Sequence, residues 1–96
     1  MADAIILVQG IKFHVGFYRR GNLYRVDEAD CYVTNDAGEL VAQIDDVDKI
    51  GAIHPKFGWV SLRFLAEEYA DQHADEWDRA ALLQARAEAA AERRVA

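Results

Sequence analysis

The 96-residue sequence predicts an α+β fold: a small curled antiparallel sheet of four to six strands, up to barrel-like, packed by a long C-terminal amphipathic helix. Three observations carry this. Ile11, Phe13, Val15 and Phe17 alternate with Lys12, His14, Gly16 and Tyr18, the period of a strand with one buried face. Two glycine-bearing turns, Gly21-Asn22 and Asn35-Asp36-Ala37-Gly38, each sit between runs of strand formers. From Leu62 the apolar period becomes helical.

Taken in order, Ala4–Val8 reads as a first strand, with Gly10 marking a bend or bulge. The alternating run from Ile11 then turns at Gly21-Asn22 into Leu23–Val26, a hairpin. Cys31–Thr34 and Glu39–Ile44 form a second hairpin. If Thr34 faces Glu39, Val33 faces Leu40 and Cys31 faces Ala42 on one apolar face, which makes Cys31 a small buried hydrophobe. Residues 45–61 are ambiguous. Asp45-Asp46 suits the cap of a short helix, whereas Gly51 and its β-branched neighbours favour strands Ile50–Ile53 and Trp59–Leu62 around His54–Gly58.

In the final segment Leu62, Leu65, Ala66, Tyr69, Ala70, His73, Trp77, Ala80 and Leu83 share one helical face. Glu67, Glu68, Asp71, Asp75 and Asp78 share the opposite one. Residues 80–96 hold eight alanines and little to bury, so the division expected is one domain over 1–79 and a helical extension or frayed tail over 80–96. The expected core is Phe13, Val15, Phe17, Val26, Val33, Leu40, Ile44, Leu65, Tyr69 and Trp77.

Charge is segregated. The net charge is −6, yet residues 27–48 hold eight acids and no base, and residues 67–78 hold six acids and no base. Such blocks project a negative field over about 8–10 Å at physiological salt. The longest apolar run is far shorter than the roughly 20 residues a membrane helix needs, so no membrane association is expected. A lone Cys31 permits no internal disulfide, and the expected compartment is the cytoplasm.

Chemical motifs are sparse. Asp46 and Asp48 start a stretch resembling a calcium loop, but Ile50 and Phe57 occupy positions that need oxygen ligands. The three histidines have no metal-site spacing, and no glycine-rich phosphate loop is present. No metal and no cofactor is therefore expected. Cys31 and His73 are the residues a small enzyme would use, Cys31 in a spatial arrangement with His54 and Asp46, but no local signature supports either.

The leading expectation is a non-catalytic protein-binding domain. Its acidic residues Glu67, Glu68, Asp71, Asp75 and Asp78, with Asp45, Asp46 and Asp48, would dock on a basic surface of a partner. Inhibitors of nucleic-acid-handling complexes, such as phage anti-restriction or anti-CRISPR proteins, are of this general kind. A second reading makes Tyr18, Arg19, Arg20, Tyr24 and Arg25 a nucleic-acid-binding hairpin, which the acidic remainder of the chain opposes. A third is a structural oligomer, a homodimer through the C-terminal helix.

Overall fold

A computed structural model describes residues 2–95, with side chains over 2–91. The element order is β1 (Ala2–Val8), β2 (Ile11–Arg20), β3 (Leu23–Thr34), β4 (Leu40–Gln43), β5 (Gly51–His54), β6 (Gly58–Ser61) and α1 (Leu62–Val95). β1-β2-β3-β4 form an open antiparallel meander, and β5-β6 form a separate two-stranded hairpin. The α+β class holds. The sheet does not close, so the six strands form two sheets rather than one barrel.

Turn chemistry sets the first hairpins. Gln9 and Gly10 both have positive φ, as a two-residue type I′ turn requires, so the bend at Gly10 is a hairpin turn pairing Val8 with Ile11. Gly21 takes the positive-φ position between Arg20 and Leu23, which pair directly. Phe13, Val15 and Phe17 face inward as the alternation predicts.

β3 contains a feature with no sequence signal. Asp27 pairs with Gly16 and Cys31 with Val15, so residues 28–30 bulge out of the ladder. Three extra residues reverse the parity of the strand. Tyr24 and Val26 point inward before the bulge, Cys31 after it. Gly16 makes room for the bulge, because a Cβ there would collide with the Asp30 side chain.

The second hairpin differs from the expected register. Asn35 pairs with Glu39 through its N–H, and Gly38 N–H donates to Asn35 O, giving a three-residue turn with Gly38 left-handed. Asn35 Oδ1 also accepts from the N–H groups of Ala37 and Glu39. Thr34 therefore faces Leu40 and Val33 faces Ala42. β4 lies at the sheet edge beyond the reach of α1, and Leu40 is 68% exposed rather than in the core.

The ambiguous stretch resolves into turn and strand. Ile44 and Val47 plug the core, and a turn at Asp46–Lys49 leads into β5. β6 runs directly into α1. Ser61 caps the helix by accepting from the Phe64 N–H, and Ile50 O and Val47 O take the Leu62 and Arg63 N–H groups. Gly51 is needed because a side chain there would strike the Trp59 ring and Val60 O.

α1 lies against β3 and β1 through Leu62, Ala66 and Ala70, all fully buried, with Ala74 and Trp77 partly buried beyond them. Two small residues one turn apart let the helix approach the sheet closely. Trp77 packs on Phe17 and edge-on to Tyr24 at ring-centre distances of 5.2 and 5.1 Å. Tyr69 is not a core residue. It sits over the free edge of β1, is 37% exposed, and stacks on His73 instead. From Arg79 to Ala91 every residue is exposed, and α1 continues unbroken beyond its contacts with the sheet.

Candidate functional site

The two charged features of the sequence meet each other. The β2–β3 hairpin lies alongside the acidic face of α1. Arg19 Nη1 pairs with Asp78 Oδ1 at 2.5 Å, and the part-buried Tyr24 hydroxyl donates to the same oxygen at 2.6 Å. Arg25 reaches Asp71 at 3.4 Å. The Tyr24 pKa is raised, first by its hydrogen bond to Asp78 and then by burial. The acidic stripe looks uncompensated along the helix because its cations come from residues about fifty positions earlier.

The same applies elsewhere. Glu68 accepts from His54 Nε2 at 3.2 Å, while the Lys56 N–H donates to His54 Nδ1 and so places the ring proton on Nε2. Arg63 holds both Asp48, at 2.8 Å, and Glu28 on the bulge. Lys49 pairs with Asp46, which raises the Lys49 pKa. Of the eight expected docking acids, Asp46, Asp48, Glu68, Asp71 and Asp78 thus have partners within the chain. Among the described residues Asp45, Glu67 and Asp75 have none.

The expected nucleic-acid platform is largely consumed by the same contacts. Tyr24 is buried against Trp77, and Arg19 and Arg25 are tied to α1. Tyr18 and Arg20 remain solvent-facing.

A groove of about 470 Å³ opens where β3, α1 and the β5–β6 turn converge. Phe57 and Phe64 form its apolar wall, with rings 5.6 Å apart, and His54 packs on Phe57 at 4.9 Å. Glu67, Glu68 and Asp71 line it, with Arg25 at one side. Phe57 is 63% exposed, although it is an aromatic residue. The carboxylates are legible in the sequence but the aromatic wall is not, because Phe57 and Phe64 lie on different elements and neither fits a motif. The one available signal was a phenylalanine inside the turn His54–Gly58, where polar residues are usual.

Cys31 is fully buried, its thiol donates to Asp27 O, and burial pushes its pKa up, with Asp27 and Asp30 adding to the effect. No hydrogen bond links it to a histidine among the described residues. His73 Nδ1 lies 3.3 Å from Glu76, the partner its spacing implies. Among the described residues no group of three or more His, Cys, Asp or Glu is placed to hold a metal ion, and no helix is long and apolar enough to cross a membrane. Comparison of the chain with protein-family models, curated proteins and solved structures finds no match.

Proposed function

We propose that this chain is a non-catalytic protein-binding domain that docks on a basic surface, with the groove at Phe57, Phe64 and Glu67 as the contact point. The observation that carries this reading is the pairing of an exposed aromatic wall with a carboxylate rim. A guanidinium or ammonium entering there meets ring faces, worth about 0.5–2 kcal/mol, and the uncommitted Glu67 carboxylate beside them. Asp75, about two turns further along the same face of α1, extends the negative field. A partner surface rich in arginine and lysine is the chemistry that fits. Surfaces that hold nucleic acid are of this chemistry, and an inhibitor of the phage anti-restriction or anti-CRISPR kind is the biological role in view.

Titration with an arginine-rich peptide, followed by NMR, tests the reading. Saturable shifts should centre on Phe57, Phe64 and Glu67, weaken with added salt, and fall on Phe57→Ala or Glu67→Gln. Tighter binding of a single-stranded oligonucleotide, lost on Arg20→Ala, would replace this reading with the hairpin one.

A further inference from the structure

We propose that β1 is the interface of a homodimer in which two copies join edge to edge, antiparallel, into one eight-stranded sheet. β1 is the free edge of the meander. A two-residue turn makes Val8–Ile11 a hydrogen-bonded pair, so Ile6, Ala4 and Ala2 also bond inward to β2. The N–H and C=O groups of Asp3, Ile5 and Leu7 therefore point outward along the open edge.

The usual guards of an edge strand are missing there. From Ala4 to Val8 there is no charge, no proline and no bulge, and the β1–β2 register is unbroken over seven pairs. The opposite edge, β4, is four residues long and meets β3 through a register shift. Ile5 and Leu7 are 54% and 64% exposed. A second groove, of about 210 Å³, runs between this edge and Leu65 and Tyr69 of α1. Strand addition would cover all of these at once.

Charge selects a second copy as the occupant. On the outer face Lys12 sits opposite Leu7, and Asp3 sits opposite Gly16, over which the Asp30 side chain packs. No ion pair engages Lys12, Asp3 or Asp30 among the described residues. A two-fold axis through Ile5 sets Ile5 against Ile5 of the partner and Leu7 against Asp3 of the partner. Lys12 then lies two strands from the partner's Asp3, about 10 Å between backbones and within reach of a lysine side chain. The same contact recurs by symmetry, and like charges are kept apart.

Sedimentation equilibrium of the isolated protein tests this, with circular dichroism to confirm folding. The wild type should be a dimer and Ile5→Lys/Leu7→Lys a folded monomer. Asp3→Lys or Lys12→Asp alone should weaken the dimer by about tenfold, through two symmetric contacts. The double exchange Asp3→Lys/Lys12→Asp should restore it. A wild-type monomer at millimolar concentration overturns the proposal. So does a dimer that survives Ile5→Lys/Leu7→Lys, or one indifferent to the charge exchange. None of these results bears on peptide binding at the groove.

Discussion

The two halves of α1 are one continuous helix held by different physics. From Leu62 to Trp77 the helix is fixed from outside. Leu62, Ala66 and Ala70 are sealed against the sheet, Trp77 leans on Phe17 and Tyr24, and Asp71 and Asp78 are tied to Arg25 and Arg19. From Arg79 onward no described residue is buried, and the helix rests on alanine propensity and its own hydrogen bonds. Isolated helices of that length are marginal in water, so the second half is stable chiefly as a continuation of the first. Helical sequence alone therefore says little about where a helix is structurally needed. Its neighbours decide that.

Substitutions at matched positions sharpen the contrast. Phe17→Ala removes the largest fully buried side chain beneath Trp77 and should destabilise by about 3–5 kcal/mol in urea unfolding, whereas Leu83→Ala should change stability by less than about 0.5 kcal/mol. A smaller effect separates two alanines. Ala70→Leu has no room at the sheet and should cost about 1–3 kcal/mol, while Ala87→Leu should be neutral. A large cost at Ala87 would mean that the second half is packed on something after all.

The charge contacts come next. Asp78→Ala removes the hydrogen bond made by the part-buried Tyr24 hydroxyl and frees Arg19, and should cost about 0.5–1.5 kcal/mol. The comparable change Glu88→Ala, on the exposed half, should cost nothing measurable. The smallest expected effect is with pH. Both Tyr24 and Cys31 have folded pKa values above their ordinary 10.0 and 9.0, so the folded chain keeps protons that the unfolded chain has released. Stability should be level below about pH 9 and fall as pH rises through both folded pKa values. Tyr24→Phe should remove the part of that fall which begins near pH 10, and an unchanged profile would show that Asp78 does not hold the tyrosine proton.

Much of the fold was legible because local patterns agreed with the tertiary structure. Alternation over Ile11–Phe17, the Gly21-Asn22 turn and the change of period at Leu62 each name their element correctly. The bulge at residues 28–30 was not legible. It depends on Gly16 of the neighbouring strand accommodating Asp30, a relation between two places in the chain. The position of Leu40 failed for a similar reason, since Asn35 fixes a three-residue turn and nothing lies over β4. The acidic stripe is a shared face of the helix, as its spacing predicts. Its partners were invisible because Arg19 and Arg25 come from a hairpin far away in sequence. The aromatic wall of the groove needed the β5–β6 turn to be folded beside α1 before it existed at all.

Amide hydrogen exchange along α1 tests the division of the helix most directly. Amides from Ala66 to Trp77 should exchange only with global unfolding, and those from Leu82 to Ala91 should exchange orders of magnitude faster through local opening. Uniform protection from Ala66 through Ala91 would contradict the account, because it would require the projecting half to be held by contacts as strong as those beneath the first.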